Sequence, residues 1–323
     1  MRLKTSMFVF LLVVLLATMT LGVNAAKYPN KTIELVVPFA AGGTTDMGAR
    51  ALAISLEKVL DNRVIVVNKP GGSSLIGNNY VANQARADGY TLCTANPSPY
   101  VIFPHTKKDM PFDARPDFIP ICQHIGTPII LSIRTNSPWD NINEVLEYAR
   151  ANPGKLTVAN PTTGGQNHLA IMAFFALAGV EVNHIPMGSG ASAQMAVLEG
   201  SVDAVVQHPS EGAPTFESGE TKPILTLSPA KGLPDVPTPR DIGVDYYMDG
   251  WMGISVPAGT PDDIVLVLRK ALKEAIHSEE YLSYLERIGD ELAYLDQPDF
   301  IKKLDEQHEI WGELVEMLGL KEQ

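Results

Sequence analysis

From Ile33 onward the chain repeats one phrase: a short apolar run, a stretch of small or polar residues, then apolar positions at helical spacing. Ile33 to Val37 reads as a buried strand, and Ala49, Leu52, Ala53, Leu56, Val59 and Leu60 recur after it as one face of a helix. Arg63 to Val67 is the next strand, Pro70-Gly71-Gly72 turns the chain, a helix runs from about Leu75 to Arg86, and Asp88-Gly89 leads into a strand over Tyr90 to Thr94. Strands alternating with helices predict an α/β fold with a largely parallel sheet, because parallel neighbours need a crossover between them.

The rhythm continues through the middle of the chain. Ile129 to Ile133, Leu156 to Ala159, Val182 to Ile185 and Val202 to Gln207 read as strands, with helices over Ile142 to Arg150, His168 to Ala178 and Ala191 to Glu199. A proline-rich stretch spans Pro229 to Pro239. Trp251 to Val256 is a strand able to return the chain to its first half, and Thr260-Pro261-Asp262-Asp263 carries the signals of a helix start. A last helix covers about Asp299 to Leu318, and there is no internal repeat or low-complexity segment.

Three loops share one chemistry. Ala40, Ala41, Gly42, Gly43 and Thr44 follow the first strand; Thr162, Thr163, Gly164 and Gln166 lie in the loop Asn160 to Asn167; Met187, Gly188 and Ser189 lie in the loop Pro186 to Ser192. Each leads into a helix, where exposed backbone N–H groups and the helix dipole hold an anion without a cation. In a doubly wound sheet such loops line the crevice beyond the carboxyl ends of the strands. A helix terminus contributes about 0.3–1 kcal/mol and a hydrogen bond to a charged group about 1.5–3 kcal/mol. A few such contacts reach the roughly −8 kcal/mol of micromolar binding after ordering costs. The competing reading of each loop is an ordinary capped helix. Asp46 is read as a cap of the first helix, and its charge directs an incoming carboxylate toward the amides of Ala40 to Gly43.

The N-terminus places Arg2 and Lys4 before an apolar run from Met7 to Ala17 and small residues at Val23-Asn24-Ala25, the layout of a cleaved secretory signal. The apolar core is too short for a spanning helix. Removing the first 25 of 323 residues leaves 298, enough for two lobes, and losing Arg2 and Lys4 takes the formal charge from −12 to −14. That balance argues against nucleic acid and anionic membrane surfaces as partners. Cys93 and Cys122 sit in apolar strands and read as two buried small hydrophobes, although an oxidising compartment allows a disulfide.

Enzyme signatures are missing. The chain has no phosphate-binding Gly-x-x-x-x-Gly-Lys-Ser/Thr, no dinucleotide glycine pattern and no Gly-x-Ser-x-Gly elbow, so no catalytic residue is assigned. His168, His184 and His208 match no common metal spacing and read as pocket-lining or capping groups; no metal and no cofactor is expected.

The segment Tyr28-Pro29-Asn30-Lys31-Thr32-Ile33-Glu34-Leu35-Val36-Val37-Pro38-Phe39-Ala40-Ala41-Gly42-Gly43-Thr44-Thr45-Asp46 resembles the mature N-terminus of the Bug receptors, the periplasmic substrate-binding proteins of tripartite tricarboxylate transporters. The likeness continues in order through Asn68-Lys69-Pro70-Gly71-Gly72, Asp88-Gly89-Tyr90-Thr91-Leu92, Ala151-Asn152-Pro153-Gly154-Lys155-Leu156, His168-Leu169-Ala170, Leu233-Pro234-Asp235-Val236-Pro237-Thr238 and Pro257-Ala258-Gly259-Thr260-Pro261.

The resemblance implies a two-lobed periplasmic-binding-protein fold of type II, the Venus flytrap, with each lobe a mainly parallel sheet flanked by helices. Residues 1–25 would be the signal, 26–127 and 251–323 lobe I, and 128–250 lobe II, with crossings near Gly126-Thr127 and Gly250-Trp251. It further implies a ligand carboxylate held in the cleft by Phe39, Ala40, Ala41, Gly42, Gly43, Thr44, Asn96, Ser98, Thr162, Thr163, Gly164, Gln166, His168, Met187, Gly188, Ser189 and Gln207. The expected role is a monomeric periplasmic receptor that delivers a small organic mono- or dicarboxylate to membrane permease subunits. A sensor for a membrane signalling partner, or an exported enzyme on the same fold, are the alternatives. The chain departs from the family pattern at Ala95-Asn96-Pro97, where Gly-Thr-Ser is frequent, at Met187-Gly188-Ser189-Gly190, where Tyr-Lys-Gly-Ser is frequent, and at Gln207, where aspartate is frequent. A pocket that lacks that cation and that carboxylate points to an acid whose far end is neutral, apolar or bound by dipoles.

Overall fold

A computed structural model describes residues 28–320; the expected signal segment and its cleavage after Ala25 lie outside the described residues. Strand β1 (Ile33–Val37) leads to helix α1 (Thr44–Leu60), β2 (Val64–Asn68), α2 (Leu75–Asn83) and β3 (Thr91–Ala95). A π-helical turn at Ser98–Ile102 runs into the short α3 (Phe103–Thr106), and β4 (Phe118–Pro128) follows. After it come β5 (Ile130–Arg134), α4 (Ile142–Ala151), β6 (Thr157–Asn160), α5 (Gln166–Leu177), β7 (Asn183–Pro186), α6 (Gly190–Glu199), β8 (Ala204–Gln207), α7 (Pro209–Glu217) and β9 (Thr221–Thr226). The chain ends through β10 (Asp249–Pro257), α8 (Asp262–Ile276), α9 (Glu279–Ile288), β11 (Glu291–Asp296) and α10 (Gln297–Met317).

These elements build two sheets. The first has the order β11-β4-β10-β3-β1-β2 and the second β7-β6-β8-β5-β9. The α/β, two-lobed architecture is the one expected, with a refinement in direction. Parallel pairing is confined to β1 with β2 and β3 and to β6 with β7 and β8; β4, β5, β9, β10 and β11 pair antiparallel, which makes both sheets mixed. The physical cause is the connectivity. The long β4 feeds directly into β5, and β10 returns beside β4 in the opposite direction, so the strands that join the sheets cannot run parallel to one another.

Burial follows the sequence periodicities. In α1 the face carrying Ala49, Leu52, Ala53 and Leu56 is buried, and it packs with β1, α8 and α9 through Leu35, Leu268, Leu272 and Tyr281. A second core runs without interruption from the first sheet to the second, linking Val36, Tyr100, Trp251 and Phe300 with Ile129, Leu131, Val206 and Phe174. Ala159, Ala193, Val197 and Val205 close the outer face of the second sheet. Cys93 and Cys122 are free and buried on β3 and β4, and burial pushes both thiols up. At the junction Gly250 pairs with Thr127. A Cβ there would come within 2.8 Å of the Thr127 carbonyl oxygen, so the close approach of the two crossing strands requires glycine. Among the described residues no helix is long and apolar enough to cross a membrane.

Candidate ligand-binding site

Strand direction brings the carboxyl ends of both sheets together. In the first sheet Gly253 of β10 lies opposite Ala95 of β3, so the start of β10 sits at the carboxyl ends of β1 and β3. In the second, Ile130 lies opposite Gln207, so the carboxyl ends of β6 and β8 face the point where β4 enters. Between them is a cavity of about 160 Å³. Phe39, Thr45, Asn96, Ser98, Thr127, Trp251 and Met252 line it from one side, and Pro161, Thr162, Gly165, Gln166, Asn167 and His208 from the other. It is smaller than the roughly 300–1,000 Å³ pockets that take drug-sized ligands. No lysine, arginine, aspartate or glutamate is among its lining residues.

Of the residues expected at the site, Phe39, Asn96, Ser98, Thr162 and Gln166 line this cavity. Asn96 is 9% exposed, and its Nδ2 has no partner among the described residues. Ser98 Oγ accepts from the Gln166 amide at 3.3 Å, a bond that joins the two walls. Ala40, Ala41, Gly42 and Gly43 form an exposed loop between the lining residues Phe39 and Thr45. Thr44 opens α1, and Gly43 provides no side-chain cap, so the first-turn amides keep the open donors of any helix start.

Two glycine amides expected to face a ligand are engaged by the chain itself. Gly42 N–H donates to Asp46 Oδ2 at 2.8 Å, and Gly164 N–H donates to His168 Nδ1 at 3.0 Å. Asp46 is 1% exposed, ion-paired with Arg50 at 2.9 Å and hydrogen-bonded by Asn68 Nδ2 at 2.9 Å. Burial pushes its carboxyl up, but the hydrogen bonds from Arg50, Gly42 and Asn68 outweigh that and hold it below the usual range. Burial lowers His168, and it lowers His184 to about 4 with help from the neighbouring His168 ring, 5.1 Å away. Both imidazoles are therefore neutral at pH 7, which leaves His168 Nδ1 free to accept.

The remaining expected residues stand back from the cavity. Ser189 caps α6 by accepting from the Ser192 amide at 3.1 Å, and Met187 N–H donates to the Asn160 carbonyl at 2.9 Å. Gly188 is exposed with φ +81°, and Thr163 is exposed beside Gly164. Gln207 is buried and donates from Nε2 to Ser132 Oγ at 3.1 Å. The lining residues not named individually as ligand contacts from the sequence are Thr45, Thr127, Pro161, Gly165, Asn167, His208, Trp251 and Met252; Pro161, Gly165 and Asn167 lie in the expected second loop, and His208 reads there as a pocket-lining or capping group. His208 Nδ1 lies 3.2 Å from both Thr127 Oγ1 and the Pro128 carbonyl. Near it Asp290 is 5% exposed. Burial pushes its carboxyl up to about 6 against the opposing pull of His208 and Thr127.

Two α/β lobes meeting strand-end to strand-end around a small, donor-lined cavity define a solute-binding protein of the periplasmic class. The chain belongs to the tripartite tricarboxylate transporter family of receptors, whose model matches residues 48–320. It is 31% identical over 307 residues to the UPF0065 protein in the gbd 5' region of Cupriavidus necator, covering 94% of this chain and 93% of that protein. The structure of the periplasmic binding protein BugD superposes with a TM-score of 0.81 at 30% identity, covering 92% of this chain and all of that one (100%). That of R. palustris Rpa4515 with adipate superposes with a TM-score of 0.83 at 28% identity, covering 90% and 98%.

Proposed function

We propose that this protein is a periplasmic receptor, exported by a signal cleaved near Ala25, that captures a small organic mono- or dicarboxylate. It passes the acid to the membrane permease subunits of a tripartite transporter. Lobe I comprises residues 26–127 and 251–323, lobe II residues 128–250, and rotation about the β4 and β10 crossings closes the cleft on the ligand. The observation that carries the reading is the buried Asn96 Nδ2, a donor without a partner among the described residues, on a residue that lines a cavity with no Lys, Arg, Asp or Glu in its lining. The helices α1 and α5 start at Thr44 and Gln166 beside the same cavity; the first-turn amides of α1 stay open, while in α5 the Gln166 amide is taken by Ser98 Oγ. Such a set binds an acid by dipoles and hydrogen bonds and gives a cationic ligand no counter-charge. The adipate held by the Rpa4515 relative belongs to the same ligand class.

A thermal-shift panel of mono- and dicarboxylates, sugars and amines tests this. A carboxylate at one hundred times its dissociation constant stabilises by about 2.7 kcal/mol, a rise of several degrees in Tm. Asn96→Ala is expected to lose affinity by about tenfold or more, the value of one hydrogen bond to a charged acceptor. Stabilisation by sugars or amines alone would overturn the proposal.

A further inference from the structure

The last helix reaches the cleft through a chain of side chains outside it. Gln307 of α10 is 7% exposed and does not line the cavity. Its Oε1 accepts from the Trp251 indole Nε1 at 2.5 Å, and its Nε2 donates to Asp249 Oδ1 at 3.3 Å. Asp249 Oδ2 is held by Lys303 Nζ, one turn earlier on α10, at 2.8 Å. The Asp249 carbonyl in turn accepts from Gln166 Nε2 at 2.9 Å. Trp251 and Gln166 both line the cavity, one from each side.

Trp251 has no room to retreat. It is 1% exposed, with the Phe300 ring edge-on at 5.2 Å and the Tyr100 ring edge-on at 6.3 Å. A buried indole N–H needs a partner, and the bond adds a directional constraint that ring packing alone does not give. Gln307 is the residue that supplies this second constraint, and by gripping Asp249 it constrains Gln166 across the cleft with the same side chain.

We propose that Gln307 is a positioning residue: by fixing Trp251 and Asp249 it sets the far wall of the ligand cavity and thereby the length of acid that the receptor accepts. The inference rests on the carboxylate reading above. A wall that cannot move discriminates by one methylene, a difference worth about 10–200-fold in a well-packed site.

The experiment measures dissociation constants for the α,ω-dicarboxylates from malonate to suberate with the wild-type protein and with Gln307→Leu, Gln307→Glu and Trp251→Phe. Gln307→Leu removes the acceptor for the indole, and the best wild-type acid is expected to weaken about tenfold or more while the preferred chain lengthens. Trp251→Phe removes the donor together with one ring of the indole, so lengthening in this variant shows that the Trp251 wall sets the length, while Gln307→Leu, which leaves the indole whole, tests the role of Gln307. Gln307→Glu keeps an oxygen for the indole but loses the donor to Asp249 and sets a second carboxylate beside it, so a lengthening smaller than that of Gln307→Leu is expected. In the ligand-free protein the indole N–H resonance absent from Trp251→Phe shifts in Gln307→Leu and holds in Gln307→Glu. A loss by one common factor across the series, or an unchanged length preference in a folded Gln307→Leu protein whatever Trp251→Phe does, overturns the proposal alone. Failure of the wild type to bind any acid overturns the carboxylate reading, and the length selection falls with it.

Discussion

After β1 the chain passes through Gly42 and Gly43 into α1; after β6 it passes through Gly164 and Gly165 into α5. The N-cap residues Gly43 and Gly165 have φ −79°, ψ 168° and φ −78°, ψ 168°, and Gly42 and Gly164 before them have φ +85° and φ +70°. In each loop the glycine amide is taken by the side chain four residues on. In the first loop that side chain is a carboxylate, with Arg50 and Asn68 completing its shell; in the second it is a neutral imidazole stacked edge-on against another. One backbone solution thus serves both lobes, while the group that pins it is ionic in one and neutral in the other. The first loop is fixed over the whole physiological pH range, and the second is fixed only while His168 is unprotonated.

The largest expected effect separates the two pins directly. Asp46→Ala leaves Gly42 N–H without an acceptor, leaves Asn68 Nδ2 with the Phe39 carbonyl alone and Arg50 with Asn68 Oδ1 alone, and should cost about 2–3 kcal/mol of stability in urea denaturation. His168→Ala removes one neutral hydrogen bond and should cost about 1 kcal/mol from that bond. Equal losses would break the contrast.

Acid titration gives the next effect. His184 is lowered to about 4 in the fold, below its ordinary 6.5, so between these values the unfolded chain binds more protons than the native one. Stability from keeping this ring neutral is present above about pH 6.5 and falls as pH drops toward 4, on the order of 2 kcal/mol between pH 7 and 4.5. Burial also lowers His124, to about 3, which adds to the same slope. Replacing His184 with Gln should flatten its share of the decline in melting curves. Asp46 acts in a lower window: its folded pKa lies below its unfolded one, so its contribution is present above about pH 4 and is lost only as pH falls through the folded value. An Asp46→Asn protein that showed its stability deficit only below pH 4 would contradict this.

The smallest effect sharpens the likeness instead of the difference. A Cβ on Gly42 or on Gly164 would meet nothing within 4 Å, so alanine at either position is penalised by the left-handed backbone alone. Each substitution should cost about 1–2 kcal/mol, and the two costs should agree within experimental error. Unequal costs would mean that the two loops are not the same device.

Much of the fold was legible because its signals are local. β1 falls on Ile33–Val37 as read, and the core helices and parallel strands agree to within a few residues. The helix α9 (Glu279–Ile288) escaped despite its capped, amphipathic sequence, and other elements that escaped carry mixed signals. β4 contains Pro120 and ends at Pro128, α7 holds Gly212 and Pro214 inside a helix, and β11 is a half-exposed edge strand without clean alternation. At the site, the glycine loops announced themselves by composition, and Asn96 stood out as a departure from the family pattern. Thr127, Trp251 and Met252 gave no such sign. They reach the cavity only because β10 returns antiparallel beside β4.

The sequence by itself determined the alternation of strand and helix, the glycine loops at strand ends and the lack of charge in the loops that could face a ligand, because each depends on residues near one another along the chain. Only the tertiary structure decided which amides remain open and which are spent on Asp46 and His168, and that Gln307 grips Trp251 across 56 positions. Hydrogen bonds of that kind depend on where packing leaves a donor and an acceptor within about 3 Å, and such placement is a property of the assembled sheets.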